Sequence, residues 1–284
     1  MTVVVIGDAL VDELRDESGS VDAPGGSALN VAVGLSILGV PAQLVAMYSD
    51  DVDGRFLSAH LRSYGVDEFA SPSSLGTGRA ISDRSDGEPR YSFSDAARAR
   101  HITFTPEMRA AIAAADLVAI SGFPFDNQDQ VDELIEAVGG ATVLLDPNPR
   151  AGFLHDAALF AQNLERFPVR LIKLGEDDAR LLYDAPLEHV VARFAPHTTV
   201  LATAGSRGAS VHDGAAVVSR PIESMPEPIV DTLGAGDATF ASVIASLARG
   251  EKDWGTMLDT AMHIAAATVR NPGGVLQRRV TFAP

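Results

Sequence analysis

The residues best suited to chemistry lie in the stretch 229–245, IVDTLGAGDATFASVIA. An apolar run leads into Gly234-Ala235-Gly236, and Asp237 follows where apolar residues begin to recur at helical spacing. Small residues let the backbone approach a ligand, and the first amides of a helix have no partners within it, so they attract an anion. A carboxylate beside a bound anion can accept a proton from an attacking hydroxyl. The stretch therefore predicts phosphoryl transfer to an alcohol, although an Asp near a helix start is also a favourable helix terminus in its own right.

Two further stretches place polar residues where open α/β sheets bind ligands. The β-branched run at 2–6 is typical of a buried strand, and it delivers Asp8 to the carboxyl edge of a sheet, where such ligands lie. A solvated turn is the alternative for Asp8. Gly25-Gly26 precede a helix that runs to about residue 38 and again allow close approach of a ligand. Asn30 falls inside that helix, where its propensity is poor.

The elements that must position these residues alternate along most of the chain. From residue 106 onward, helical and strand periodicity take turns, which predicts an α/β fold with a doubly wound, mostly parallel sheet flanked by helices. Strands are predicted at 2–6, 42–48, 117–121, 142–146, 170–174 and 199–203, with a hairpin at 209–212 and 215–219. Helices are predicted at 51–64, 106–114, 126–138, 151–164, 176–183, 186–195, 235–249 and 253–270. We expect one domain over residues 1–284.

Two polar segments depart from this pattern. Residues 71–105 alternate in polarity, as in RAISD and RYSFS on either side of SDGEP, which predicts a hairpin with one apolar face. Residues 9–24 are acidic and irregular, and with 71–105 they would form a small β-sheet of four or five strands that projects as a lid. Its apolar face would need either a ligand or a second subunit as cover.

Composition limits the partners. The chain has 284 residues, 46% hydrophobic and 21% charged, which is an ordinary globular balance. A formal net charge of −16 disfavours nucleic acid or an anionic membrane surface as the main partner. Without cysteine there is no disulfide framework or thiolate metal site. The sequence contains no signal segment and no run near the ~20 apolar residues of a membrane span, so we expect a cytoplasmic protein.

Two motifs resemble the signatures of the ribokinase-like (PfkB) carbohydrate kinases. GGSALNVA at 25–32 is similar to the first signature, and DTLGAGD at 231–237 is similar to the second, about 200 residues later. The chain is thereby identified as a member of this family over essentially its whole length, with a ribokinase-like fold. GxxxxGK(S/T), GxGxxG and HExxH are absent, so a P-loop, a dinucleotide fingerprint and that zinc motif are excluded.

The resemblance implies an ATP-dependent sugar kinase and assigns roles to residues. Together with the apolar lid face that needs cover, it also leads us to expect a homodimer through the lid. Asp237 would take the proton from the sugar hydroxyl, and the amides of Gly234, Ala235 and Gly236 would stabilise charge on the transferring phosphoryl group. The residues that would bind sugar hydroxyls are Asp8, Gly25, Gly26 and Asn30. The stretch 203–208, TAGSRG, resembles the T-x-G-x-x-G turn beside the nucleotide. The residues of this turn that would bind ATP are Thr203, Gly205, Ser206 and Gly208.

Three further features concern phosphates and cations. Arg150 in DPNPR resembles the D-x-N-x-R motif of the fructokinase and 2-keto-3-deoxygluconate kinase branches and would pair with phosphate, unless it is a surface residue of a helix-start loop. Gly175 and Asp178 replace the Asn and Glu of the family's N-x-x-E motif. Asp178 would then act on Mg²⁺ through water with a shorter side chain, unless the acidic role has moved to the neighbouring Glu176 or Asp177. Asp231 and the turn at 271–274 would bound a monovalent cation site, for example for K⁺.

The identity of the sugar depends on two stretches. DPNPR and RYSFS favour a fructokinase-like enzyme. A 2-keto-3-deoxy acid would require cations facing the sugar, and the lid region offers Arg79, Arg90, Arg98 and Arg100. A nucleoside would need aromatic stacking surfaces, and only 6% of the residues are aromatic. The alternative of another class is a non-catalytic sugar- or nucleotide-binding relative, which the altered N-x-x-E motif favours and the retained GAGD turn disfavours.

Overall fold

The computed structural model describes residues 1–17, 19–83, 90–271 and 276 of the protein. The strands are β1 (Val3–Gly7), β2 (Leu10–Asp16), β3 (Gly19–Gly25), β4 (Ala42–Met47), β5 (Asp67–Ser71), β6 (Arg79–Asp83), β7 (Arg90–Phe93), β8 (Leu117–Ser121), β9 (Val143–Asp146), β10 (Leu171–Gly175), β11 (Thr199–Thr203), β12 (Ala209–Asp213) and β13 (Ala216–Arg220). The helices are α1 (Ser27–Ile37), α2 (Val52–Ser63), α3 (Asp95–Arg98), α4 (Pro106–Ala114), α5 (Gln128–Val138), α6 (Ala157–Arg166), α7 (Glu176–Tyr183), α8 (Leu187–Phe194), α9 (Ala235–Ala248) and α10 (Trp254–Thr268).

The main sheet has nine strands in the order β13-β12-β11-β10-β9-β8-β1-β4-β5. The strands from β11 to β5 pair in parallel, and β12 and β13 add an antiparallel edge. This confirms the predicted α/β fold with a doubly wound, mostly parallel sheet. The chain winds outward from β1 in both directions, so the strand order reverses between β1 and β8. The carboxyl ends of these two strands therefore open a crevice, the usual ligand position in such sheets.

Both faces of the main sheet are covered, which explains why its central strands are continuous apolar runs. All five residues of β1 and all five of β8 are buried. One hydrophobic cluster lies on the face of α1, α9 and α10 and includes Leu29 and Phe240. The other lies under α4 to α8 and includes Phe123 and Ile172. Because α1 packs against α9, residues at the starts of these two helices meet at the same edge of the sheet.

A second, four-stranded sheet has the order β3-β2-β6-β7. β6 and β7 are the predicted antiparallel hairpin, and β2 pairs in parallel with β6. The segment 9–24 joins this sheet as expected, and although its sequence pattern is irregular, β2 and β3 pair in register from Leu10 to Asp16 as a regular hairpin. The SDGEP turn at 85–89 lies outside the described residues. We refer to this second sheet as the lid sheet.

Two elements are absent from the sequence prediction, and one helix starts later than expected. β5 is a short edge strand beside β4, and α3 has only four residues. The helix predicted from residue 151 begins at Ala157, because the side chain of Asp156 accepts a hydrogen bond from Leu159 N and caps it there. Within the described residues, no helix combines the length and apolar character that crossing a membrane requires.

Candidate active site

Asp237 lies in the first turn of α9, and both oxygens of its carboxylate are engaged. Oδ1 accepts a hydrogen bond from Ser27 Oγ at 2.5 Å, and Oδ2 accepts one from Asn30 Nδ2 at 2.8 Å. Asp237 is only 6% exposed. The structure thus brings together Asp237 and Asn30, which the sequence placed in one site, because their helices pack side by side and start at the same edge of the sheet.

The backbone before Asp237 is shaped to receive an anion. Gly234 takes a left-handed conformation (φ 71°) at the N-cap of α9, and no described side chain caps the helix. The first amides of α9 therefore face the cleft without a side-chain partner. A Cβ at Gly236 would lie 3.3 Å from Lys173 Nζ, so a lysine ammonium lies directly behind the turn. Unpaired amides and a nearby positive charge together favour a phosphate group.

Lys173 belongs to a buried cluster with two carboxylates. Its Nζ lies 2.8 Å from Asp146 Oδ2, and both side chains are almost fully enclosed. Burial lowers the pKa of Lys173, but the attraction of Asp146 and Asp178 offsets this and leaves the pKa above its ordinary value, so the ammonium stays charged. Burial raises the pKa of Asp146, and it raises that of Asp178 to about 6.

The same cluster offers oxygen ligands for a hard cation. Asp146 Oδ1 is buried and has no hydrogen-bond partner among the described residues. Asp178 belongs to the same cluster, and its Oδ2 accepts a hydrogen bond from Gly175 N at 2.6 Å. No group of three or more His, Cys, Asp or Glu in the described ranges could hold a metal directly. The donor set therefore fits Mg²⁺ that keeps most of its own waters.

Asp8 supports the start of α1. Its Oδ1 accepts a hydrogen bond from Ala28 N at 3.1 Å, and its carbonyl accepts one from Leu29 N. Burial raises the pKa of Asp8, and Arg100 partly offsets this. Gly26 has φ 101°, and a Cβ there would lie 2.6 Å from Asp8 O, so glycine is required at this point. Through these contacts Asp8 and Gly26 fix the helix turn that presents Asn30.

A cleft of about 310 Å³ separates the lid sheet from the main sheet. Its lid side carries Leu10, Tyr91 and Phe93, and its floor carries Asn30 and Asp237. Asn30 Oδ1 is buried without a partner in the described part of the chain. An unpaired acceptor of this kind requires a donor from a ligand or water. Also lining the cleft are Asp8, Gly26, Gly234 and Arg150.

Asp12 is a cleft residue that the sequence did not single out. It lies on β2 and lines the cleft, and burial together with the charge of Asp8 raises its pKa to about 7. A Cβ at Gly25 would lie 2.1 Å from Asp12 Oδ2, so the glycine makes room for this carboxylate. The sequence of β2, LVDELRD, has no alternation that would have marked Asp12. We refer to Asp12, Ser27, Asn30 and Asp237 as the acidic centre.

The stretch 203–208 forms a tight turn after β11, which we refer to as the glycine turn. Ala204 N donates to Gly208 O at 2.9 Å, and a Cβ at Gly208 would lie 2.1 Å from Arg220 O. Ser206 is exposed. Gly175 pairs in register with Thr203, and a Cβ at Gly175 would lie 3.3 Å from Thr203 Oγ1. The altered N-x-x-E position thus borders the glycine turn.

The segment around Asp231 lies against the end of α10. Val230 N and Asp231 N both donate to Val269 O, and Asp231 Oδ1 accepts from Leu233 N at 3.0 Å. The other half of the expected cation site, the turn at 271–274, falls outside the described residues except for Asn271. The monovalent cation site therefore stays a prediction.

We compared the chain with known protein families and proteins. A family model described as pfkB family carbohydrate kinase matches residues 2–278. A fructokinase from Klebsiella pneumoniae is 30% identical over 262 residues, which cover 86% of this chain and 83% of that protein. A fructokinase from Rhizobium leguminosarum bv. trifolii is 28% identical over 266 residues, 86% of this chain and 79% of that protein.

Solved structures share the fold. A fructokinase from Xylella fastidiosa with bound ATP superposes with a TM-score of 0.81 at 21% identity, over 96% of this chain and 93% of that one. A fructokinase from Vibrio cholerae O395, described with fructose, ADP and calcium ion, gives a TM-score of 0.80 at 21% identity, over 96% and 94% of the two chains.

Proposed function

The chain belongs to the pfkB family of carbohydrate kinases, and we propose on this premise that it transfers the γ-phosphate of ATP to a hydroxyl of fructose. The family predicted from the two motifs is confirmed, and with it an ATP-dependent sugar kinase of the fructokinase-like type. The fructokinases among its relatives support the choice of sugar.

One observation carries the proposed chemistry. A buried carboxylate, Asp237, lies at the start of α9, where no described side chain caps the helix, and beside Asn30 Oδ1, which has no partner among the described residues; all face one cleft. In this proposal Asn30 Oδ1 and Asp12 accept hydrogen bonds from the sugar, with Asp8, Gly25 and Gly26 shaping the pocket. Asp237 accepts the proton of the attacking hydroxyl. The amides of residues 234–236 and the ammonium of Lys173 stabilise the negative charge that develops on the phosphoryl group.

The nucleotide and cation have candidate partners on the other side of Asp237. The residues proposed to bind ATP are Thr203, Gly205, Ser206 and Gly208, with Arg150 pairing with the transferred phosphate. We assign Mg²⁺, through water, to Asp146 and Asp178, because Asp146 Oδ1 has no hydrogen-bond partner among the described residues; when bound, the ion would neutralise phosphate charge. Relatives described with ATP and Mg²⁺, or with calcium, support the use of a divalent cation. K⁺ beside Asp231 remains part of the proposal.

The cleft favours a neutral sugar over an acidic one. Among the described side chains that line it, Arg150 is the only cation, whereas Asp8, Asp12 and Asp237 are carboxylates. Arg79 of the lid sheet is tied bidentately to Asp53, at 2.6 Å for each bond. An acidic group on the sugar would thus meet three carboxylates and one cation.

The same arrangement argues against the use of Arg100 for an acidic sugar. Its Nη1 donates to Gly122 O, and its guanidinium lies 4.4 Å above the ring of Phe153. The side chain of Arg90 lies outside the described residues, and Arg98 is exposed. A 2-keto-3-deoxy acid is accordingly the weaker candidate.

The lid sheet supports the remaining parts of the proposal. We propose that 9–24 and 71–105 are lid segments of one domain over 1–284, which close on the sugar and exclude water from the phosphoryl group. Val21 is 67% exposed and Tyr91 62%, so the lid sheet presents apolar surface that a second copy of the chain would cover. A homodimer and a cytoplasmic location are proposed with it.

Coupled measurement of ATP consumption over a sugar panel tests this function. We expect fructose to give the highest kcat/KM, well above 2-keto-3-deoxygluconate, ribose, adenosine and fructose 6-phosphate. A higher value for any of these would contradict the proposed substrate. If no sugar supports turnover while ADP still raises the melting temperature, the chain is the non-catalytic relative instead.

A further inference from the structure

Asp237 ends a chain of buried hydroxyl hydrogen bonds that the proposed function does not use. Ser27 Oγ lies 2.5 Å from Asp237 Oδ1 and also 2.5 Å from Ser121 Oγ. Ser27 is 5% exposed and Ser121 is 0% exposed. Bulk water therefore does not compete for these bonds, and their geometry is set by the protein alone.

The direction of donation along this chain follows from the number of hydrogens. A serine hydroxyl carries one hydrogen, and an ionised carboxylate only accepts. The hydrogen of Ser27 therefore points at Asp237, so the bond between the two serines must be donated by Ser121. Successive donors in a dry site polarise one another, and the bond to the carboxylate becomes stronger than an isolated one.

Regular structure places both hydroxyls. Ser121 is the last residue of β8 and pairs in register with Gly7 of β1. A Cβ at Gly7 would lie 1.7 Å from Ser121 O, so only glycine allows the two strands this close approach. Ser27 is the first residue of α1 and follows Gly26. The crevice between β1 and β8 is thus joined to α9 through two side chains.

The two oxygens of Asp237 are held from different sides. Ser27 donates to Oδ1 and Asn30 donates to Oδ2, so rotation of the carboxyl group would break at least one bond. Each oxygen keeps one further acceptor position for substrate. We propose that Ser27, supported by Ser121, is a positioning residue that holds Asp237 with a free lone pair toward the sugar hydroxyl. This inference rests on the proposed role of Asp237 as the base.

Removal of single hydroxyls tests the inference. Ser27→Ala should lower kcat about 10-fold, as expected for loss of a hydrogen bond to a charged group, while KM for fructose and ATP stays within about twofold. Ser121→Ala should lower kcat by a smaller factor, roughly threefold, because it weakens the same bond indirectly. As matched control, Ser242→Ala removes a buried hydroxyl of α9 that has no partner within the described ranges, and its kcat should equal wild type.

A double-variant comparison separates positioning from a general structural role. In an Asp237→Asn background, Ser27→Ala should change the residual kcat by less than about twofold, because the group it positions is already lost. An equal loss in both backgrounds would overturn the inference. A wild-type kcat for Ser27→Ala, together with an inactive Asp237→Asn, would also overturn the inference, but it would not contradict the proposed function. A wild-type kcat for Asp237→Asn would show that Asp237 is not the base, and it would overturn both the inference and the proposed role of Asp237. Should Ser27→Ala not fold, Ser121→Ala supports the same comparison.

Discussion

The acidic centre and the glycine turn are built in opposite ways. In the acidic centre, side chains from distant parts of the chain bond to one another; Asn30 and Asp237 are 207 positions apart. The glycine turn is held by backbone hydrogen bonds between close neighbours, such as Gly208 N to Gly205 O at 3.1 Å. Asp237 is 6% exposed, whereas Ser206 lies at the surface.

This difference indicates that side-chain identity matters more in the acidic centre than in the glycine turn. In the acidic centre a changed side chain leaves buried polar partners unpaired, which costs free energy and misplaces the rest. The glycine turn offers amides and space, so its side chains can vary as long as the backbone keeps its shape. Gly175 borders the turn, and a Cβ there would lie 3.3 Å from Thr203 Oγ1, so a larger residue would require a small shift of that side chain.

The largest effect is expected at Asp237. Asp237→Asn keeps the shape of the side chain but removes the base, so kcat should fall at least about 100-fold. KM for ATP should change little, because the start of α9 is unaltered. Steady-state kinetics with fructose measure both. Near-normal turnover would mean that the acidic centre does not perform the proton transfer.

Asn30→Ala should have the next largest effect. It removes a donor to Asp237 and the unpaired acceptor that faces the cleft. Loss of hydrogen bonds to charged groups or to substrate predicts a drop in kcat/KM of roughly 10- to 100-fold. Circular dichroism and melting temperature serve to verify that the variant is folded. An unchanged kcat/KM would show that the acidic centre tolerates side-chain loss as the glycine turn does.

Asp12 predicts a pH dependence of stability. Its pKa is about 7 in the folded protein, above its ordinary value of 3.8, so between these two pH values the folded state binds the extra proton. The contribution of Asp12 to the free energy of unfolding is therefore fully present below pH 4. It decreases as the pH rises to 7, by at most about 1.4 kcal/mol per pH unit. Urea unfolding measured without sugar should show that the free energy of unfolding of Asp12→Asn increases relative to that of wild type from pH 4.5 to 7. A difference between the two proteins that is constant with pH would contradict a raised pKa of Asp12 in the folded protein.

The smallest effect is expected in the glycine turn. Ser206→Ala removes an exposed hydroxyl and leaves the backbone bonds of the turn intact, so KM for ATP should change by less than about threefold. Initial rates at varied ATP concentration and saturating fructose measure this. A rise of tenfold or more would show that side chains matter in this turn as they do in the acidic centre.

The sequence predicts what depends on local pattern. Strand and helix periodicity predicted the main sheet, and the two glycine motifs predicted which helix starts face the cleft. The short edge strand β5 carries too few apolar residues to stand out. Asp12 and Ser27 were not predicted because their roles depend on tertiary contacts, with Gly25 in one case and Asp237 in the other. No periodicity in the sequence reports such contacts.

The central claim is that one sugar hydroxyl lies between Asp237 and a phosphate at the start of α9. A crystal structure with fructose and an unreactive ATP analogue tests it most directly. We predict one fructose hydroxyl within about 3 Å of a carboxylate oxygen of Asp237, in line with the terminal phosphate on the amides of residues 234–236. A sugar bound elsewhere in the cleft, or a terminal phosphate away from these amides, would contradict the account.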